Sequence, residues 1–252
     1  MASPDLSVVV PAYQERDGIA ATLRALHAAL DGLAVTHEVL VVDNASPDGT
    51  AGEVERLDDP RVRVLRNPRN LGKGASVRRG MLEAAGALRL HCDADCAPSL
   101  AALPRMLALA GEFDVVVGSR LADGAAVARR QPVRRRIFGR SFGILCRVVL
   151  REPTRDLFCG FKLWRAEAAE AVFRSTALTG WTYDAETLAM ARALGFSLTE
   201  TGIPWADRPG SRLSMLRVIV PVSRELLEAR RRVAAARVPL VSDLVEAAEP
   251  RA

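Results

Sequence analysis

The chain has 252 residues, 49% of them hydrophobic, enough apolar material for one large α/β core. Its formal charge of +5 comes from arginine, clustered at Arg129, Arg130, Arg134, Arg135, Arg136 and Arg140 and again at Arg230, Arg231 and Arg232, a pattern that favours phosphates, nucleic acid or an anionic membrane surface. Several classes fall away: 5% aromatic content gives single-stranded nucleic acid few stacking platforms, no apolar run reaches the roughly 20 residues of a bilayer span, and the four cysteines lack zinc-type spacing.

In chain order, a β-branched strand is expected over Leu6–Val10, closed by Pro11, then a helix over Gly18–Leu30 with apolar Ile19, Leu23, Leu26 and Leu30 at helical spacing. A second strand, Glu38–Val42, runs into Asp43 and the turn-rich segment from Asn44 to Thr50. A helix near Ala51–Leu57, a strand near Val62–Leu65 and a helix near Gly74–Ala85 lead to the strand that ends Leu90-His91-Cys92-Asp93. Apolar strands alternating with helices predict a mostly parallel sheet covered on both faces, with ligands beyond the carboxyl ends of its strands, where Pro11, Asp43 and Asp93 fall. The second half predicts a strand over Asp114–Gly118, helices over Arg134–Leu150 and Asp184–Leu194, and a terminal helix over Met215–Arg237 interrupted near Pro221. Val238–Ala252 reads as a weakly ordered tail. The division is thus one α/β domain over residues 5–217 and a helix with tail over 218–252.

Asp93-Ala94-Asp95 is the most informative element. Side chains at i and i+2 of an extended strand point the same way, so both carboxylates can face one cation. Oxygen ligands suit Mg²⁺ or Mn²⁺, and Mg²⁺ is commonly held by one or two carboxylates plus substrate phosphates. Two aspartates suffice if the substrate carries a diphosphate. The helix over Arg136–Leu150 mixes Ile137, Phe138, Phe142, Ile144, Leu145, Val148 and Val149 with arginines; it can be an interfacial helix or a core helix with a charged face. The amino terminus shows no charged and apolar leader pattern, and the thiols read as reduced, so a cytoplasmic protein is expected.

Four segments in order, Ser7–Glu15, Val41–Thr50, Asn70–Ala75 and Asp93–Asp95, resemble the GT-A fold of family 2 glycosyltransferases, over about Leu6 to Arg217. Val117–Arg120, Arg155–Trp164, Gly180–Glu186 and Ile203–Arg212 are similar to the polyprenyl- and dolichyl-phosphate sugar synthases, closer to the glucose than to the mannose type. The resemblance implies a Rossmann-like single domain that moves a sugar, with inversion, from a nucleoside diphosphate sugar to a polyprenyl phosphate at the cytoplasmic membrane face. It implies donor contacts from Pro11, Tyr13, Glu15, Asp43, Lys73, Asp93 and Ala94, and a metal on Asp93 and Asp95. The acceptor phosphate falls to Arg120, Arg135, Arg208 and Arg212, and the reacting centre to Asp95, Arg120 and Asp184. Asp184 can instead be a helix N-cap. Two positions depart from the pattern: Ala97 stands where mannose synthases carry a further glutamine ligand, and Asn44 replaces a second acid after Val42. His27, His37 and His91 match no catalytic position and are expected in ordinary surface or core roles.

The competing readings are a family 2 enzyme acting on a soluble or polysaccharide acceptor, against which the Arg155–Trp164 segment argues, and an inactive nucleotide-binding module, suggested by Ala97. Nucleic-acid binding rests on charge alone.

Overall fold

The computed structural model describes residues 3–95, 97–129, 133–180, 182–206 and 219–237. Strands made almost wholly of apolar residues can be buried on both faces, and the runs Leu6–Val10, Val39–Val42 and Val115–Gly118 are. β1 (Leu6–Ala12), β2 (His37–Asp43), β3 (Val62–Arg66), β4 (Leu88–Cys92), β5 (Val115–Ser119), β7 (Phe161–Arg165) and β8 (Leu198–Gly202) form one seven-stranded sheet in the order β3-β2-β1-β4-β7-β5-β8. Six of the strands are parallel to one another and β7 alone runs against its neighbours β4 and β5. β6 (Ala126–Arg129) and β9 (Pro204–Ala206) make a small parallel sheet of their own.

The period of two along each strand sorts side chains between two cores. Val8, Val10, Val39, Val41, Leu90 and Leu163 pack with Ile19, Leu23 and Leu26 of α1 (Arg16–Asp31), with Val54 of α2 (Thr50–Glu55) and with Met106 of α4 (Leu103–Leu109). Val9, Leu40, Val42, Val117 and Trp164 face the other way. They meet α3 (Lys73–Glu83), α5 (Val133–Leu150), α6 (Ala166–Ser175), α7 (Tyr183–Ala193) and α8 (Ile219–Ala236).

β7 and β8 are absent from the expected elements, and each has a reason. Lys162 is the second residue of β7, fully buried, and Leu198-Thr199-Glu200-Thr201-Gly202 carries a single large apolar residue because β8 is an edge strand. The expected break at Pro221 is also absent: α8 runs through it. Proline there lies in the first turn of the helix, where backbone N–H groups have no intrahelical acceptor to lose.

α5 has one side in the core and one side in solvent. Cys146 and Leu150 are buried against the core, while Ile144, Leu145 and Val148, at i, i+1 and i+4, are 57%, 49% and 70% exposed. Exposed arginines, Arg140 on the same helix and Arg230 and Arg231 on α8, lie on the two helices that pack together here. Among the described residues, no helix is long and apolar enough to cross a membrane.

Candidate active site

The parallel register brings the carboxyl ends of β1, β2 and β4 level. Pro11 pairs with Val42, Ala12 with Asp43 and Val9 with His91, so the expected ligand-bearing residues emerge along one edge of the sheet. The loop after β1 is bolted to the turn after β2: Gln14 N donates to Ser46 Oγ at 3.1 Å, Glu15 N to Thr50 Oγ1 at 3.0 Å and Arg16 N to Asp48 Oδ2 at 3.2 Å. Asp48 Oδ1 in turn accepts from Thr50 N and Thr50 Oγ1, which holds the start of α2. These contacts hold Gln14 at a φ of 57° and set Glu15 at the N-cap of α1; Tyr13 stays exposed.

Asp43 ends β2 almost wholly buried. Its Oδ2 accepts from Ser46 N at 3.3 Å, but its Oδ1 is buried with no hydrogen-bond partner. A buried carboxylate oxygen left without a donor costs free energy, and such orphans call for an explanation. Beside it Asn44, where an acid was the family expectation, serves as a hub: its Oδ1 accepts from Asn67 Nδ2 and Leu71 N, and its Nδ2 donates to Asn70 Oδ1. A carboxylate could accept those two bonds but could not make the third. Asn44 therefore ties the strand-end turn to the loop that leads into α3.

That loop ends at Gly72, whose φ is 91°, with Lys73 opening α3. Lys73 Nζ lies 2.7 Å from Asp93 Oδ2, and His91 Nε2 lies 3.0 Å from Asp93 Oδ1. Burial alone would raise the Asp93 pKa; Lys73 and His91 outweigh it and hold the carboxyl well below the usual carboxylate range. Burial also pushes the His91 pKa down despite Asp93, and a neutral ring can offer Nε2–H to the carboxylate. Behind Asp93 stands Gly160, where a Cβ would fall 1.9 Å from Asp93 Oδ2; only glycine leaves room for the carboxylate. The Asp93 N–H donates to the Gly160 carbonyl, and Thr22 Oγ1 donates to the carbonyl of buried Ala94 at 2.6 Å, which anchors the Asp93–Asp95 turn from both sides.

Arg120 follows β5. Its Nε and Nη2 each lie 2.7 Å from an oxygen of buried Asp156, its own N–H donates to the same carboxylate at 2.9 Å, and its guanidinium stacks 5.2 Å from the Trp205 ring centre. Asp156 is ordered in its turn by Glu200, which accepts the backbone N–H groups of Arg155 and Asp156. Burial would raise the Asp156 pKa, but Arg120 lowers it below the ordinary value.

Asp184 lies deeper. It is ion-paired with Lys162, both side chains almost fully buried, and Lys162 Nζ also donates to the Cys159 carbonyl at 2.7 Å. Asp184 is not the N-cap of α7, a position held by Thr182. The sheet thus brings Pro11, Asp43, Asp93, Ala94 and Asp95 to strand ends, with Lys73 at the start of α3 and Arg120 just after β5. Arg135 belongs to α5, its side chain outside the described residues, and Arg208 and Arg212 lie outside them altogether.

The sequence reading gave His91 an ordinary role and assigned none to Lys162 or Asp156. His91 carried a signal: it stands on β4 two residues before Asp93, the spacing at which side chains of an extended chain point the same way. Lys162 and Asp156 stand inside the family-like Arg155–Trp164 segment, but nothing local names their partners Asp184 and Arg120, brought close only by the folded sheet.

The two carboxylates, one held ionised inside the protein, suit a hard divalent cation that completes its shell with phosphate and water. Among the described residues no group of three or more His, Cys, Asp or Glu side chains is placed to hold a metal alone.

A largely parallel sheet with helices on both faces and an Asp-x-Asp turn at its carboxyl edge is the GT-A glycosyltransferase fold. The chain belongs to glycosyl transferase family 2, whose family model matches residues 7–173. It is 33% identical over 221 residues to the dolichyl-phosphate beta-glucosyltransferase ALG5C of Trichomonas vaginalis, covering 82% of this chain and 65% of the relative. It is 32% identical over 241 residues to the dolichyl-phosphate beta-glucosyltransferase of Drosophila melanogaster, covering 89% of this chain and 74% of that one. Among solved structures, glucosyl-3-phosphoglycerate synthase from Mycobacterium tuberculosis, in complex with Mn²⁺, UDP-glucose and phosphoglyceric acid, superposes with a TM-score of 0.66 at 18% identity, covering 92% of this chain and 80% of that one.

Proposed function

We propose that the protein transfers a sugar, with inversion, from a nucleoside diphosphate sugar to a polyprenyl phosphate of the dolichyl type, acting as a peripheral enzyme at the cytoplasmic face of a membrane. The observation that carries the donor half is the orphaned Oδ1 of Asp43, a buried acceptor at the ligand edge of the sheet that a nucleoside N–H or hydroxyl would satisfy. Pro11, near the end of β1, and Tyr13 and Glu15, on the loop bolted to the Asp43 turn, frame the nucleoside. Lys73, Asp93 and Ala94 frame the diphosphate. The names of the relatives, beta-glucosyltransferases acting on dolichyl phosphate, support glucose as the sugar and a lipid phosphate as the acceptor.

Asp93 and Asp95 would hold Mg²⁺ or Mn²⁺, and the ion would supply positive charge to the leaving diphosphate. What the chain itself must do is position two anions side by side. An acceptor phosphate is already anionic, so no strong base is needed; its oxygen needs a fixed line to the anomeric carbon. Arg120 is built for that, since the fork on Asp156 and the stack on Trp205 fix its plane. Arg135, Arg208 and Arg212 would add charge around the same phosphate. The exposed Ile144, Leu145 and Val148 beside arginines fit a surface that rests on an anionic bilayer while the acceptor's hydrocarbon tail stays in the lipid.

The test is direct: purified protein, a short polyprenyl phosphate and a panel of radiolabelled sugar nucleotides, followed by organic extraction. Label entering the organic phase with one nucleotide sugar supports the reading. Label confined to water on a soluble acceptor, or no turnover of any donor, refutes it.

A further inference from the structure

Lys73 has little freedom at its backbone. Gly72 before it takes a φ of 91° and is pressed so close to the Thr179 carbonyl that a Cβ would fall 2.4 Å from the oxygen, and the next residue, Gly74, donates its N–H to that carbonyl at 2.8 Å. From this fixed point the side chain brings Nζ to 2.7 Å from Asp93 Oδ2. The Asp93 carboxylate is equally confined, between Lys73 on one oxygen, His91 on the other and Gly160 behind. Lys73 is a cationic partner of Asp93, while Lys162 pairs with Asp184 and Arg120 with Asp156. A divalent ion approaching Asp93 must therefore settle beside an ammonium that already holds the same carboxylate.

We propose that Lys73 is the counter-cation of the Asp93–Asp95 centre, in competition with the metal: a divalent ion alone must share Asp93 with the ammonium, whereas an ion that arrives with a nucleoside diphosphate offers the ammonium phosphate oxygens to move to. The four-carbon stem of lysine and its three rotatable donors make that move cheap while the backbone stays fixed. The result is a coupling between metal and nucleotide, and by linkage each must raise the other's affinity by the same factor. Metal without donor binds weakly; metal with donor binds well. This inference rests on the donor and metal reading above and adds to it the residue that sets the coupling.

The experiment measures Mn²⁺ binding itself, from the electron paramagnetic resonance signal of free Mn²⁺, in the absence and presence of UDP. Lys73→Met should bind Mn²⁺ alone roughly tenfold more tightly than wild type, as loss of a like charge a few ångströms away requires. UDP should then strengthen Mn²⁺ binding much less than it does in wild type. Lys73→Gln, which removes the charge with a shorter side chain, should move the constant the same way, and Lys73→Arg, which keeps it, should not. If wild type takes up Mn²⁺ with UDP but the neutral variants bind Mn²⁺ alone no better than wild type, the competition does not exist and the donor reading survives. If wild type takes up no Mn²⁺ even with UDP, the donor and metal reading falls and this inference with it.

Discussion

Arg120 grips Asp156 through two parallel hydrogen bonds of 2.7 Å, and Asp156 is buried where Arg120 is not. A guanidinium held in this fork presents a fixed plane, which is what recognition of a second phosphate beside the donor requires. Arg120→Ala should raise the apparent KM for polyprenyl phosphate about tenfold or more, while leaving the donor dissociation constant nearly unchanged, since charge-assisted hydrogen bonds contribute about 1.5–3 kcal/mol each. Arg120→Lys should recover little, because an ammonium cannot reproduce the fork. Initial rates against acceptor concentration, with donor binding followed by calorimetry, separate the two effects. Wild-type acceptor kinetics in the Ala variant would remove Arg120 from the acceptor site.

The orphaned oxygen of Asp43 leads to a prediction about the donor. Asp43→Ala should weaken nucleotide-sugar binding by about tenfold or more, the worth of a hydrogen bond to a charged group. The fold should be little affected, because the one bond lost is that from Ser46 N. Calorimetric titration with UDP-glucose and a thermal melt are the paired measurements. Unchanged affinity would place the nucleoside elsewhere.

Lys162 and Asp184 form a buried pair whose first duty is to each other. Removing one charge should strand its partner away from water and cost about 3–5 kcal/mol, so Lys162→Met should be strongly destabilised in urea unfolding. The double variant Lys162→Met with Asp184→Leu should regain much of that loss, since an apolar pair of similar volume often matches a buried ion pair. A double variant no more stable than Lys162→Met would show that Asp184 is not held by this pairing. A double variant that is stable yet inactive would place Asp184, as its motif suggested, close to the reaction itself.

How much of this could be read from the chain depends on whether the signal was local. β1, β2 and β4 were legible because Leu6–Val10, Glu38–Val42 and Leu88–Cys92 are apolar runs punctuated by Pro11, the Asn44–Thr50 turn and Asp93. The ligand edge followed, since Asp43 and Asp93 lie at the ends of those runs. β7 is not legible, because a five-residue strand with lysine at its second position and arginine at its last looks exposed until Asp184 is placed beside Lys162. In sequence Asn44 only weakens a charge-based role at that position, whereas its amide is what lets it donate to Asn70 while accepting from Asn67 and Leu71. Those partners lie more than twenty residues away and become visible only with the fold.

The half-exposed face of α5 predicts a membrane contact that is electrostatic and apolar together. The protein should sediment with vesicles containing anionic lipid and be partly released by added salt, because each basic residue near such a surface contributes on the order of 1 kcal/mol that ions screen. Replacing Ile144, Leu145 and Val148 together with serine should weaken the association without unfolding the chain, as all three already face solvent. Absence of vesicle binding at low salt would favour a soluble acceptor.

The central claim is transfer of a sugar onto a lipid phosphate by a metal-assisted, inverting displacement. It is tested most directly by mass spectrometry and proton NMR of the lipid recovered after incubating the protein with UDP-glucose, Mn²⁺ and a polyprenyl phosphate. The account predicts a lipid heavier by one hexose with a β-linked sugar, absent in excess EDTA and restored by added metal, with Asp95→Ala slowed on the order of a hundredfold or more. Unmodified lipid alongside consumed donor, or full transfer in excess EDTA, would contradict it.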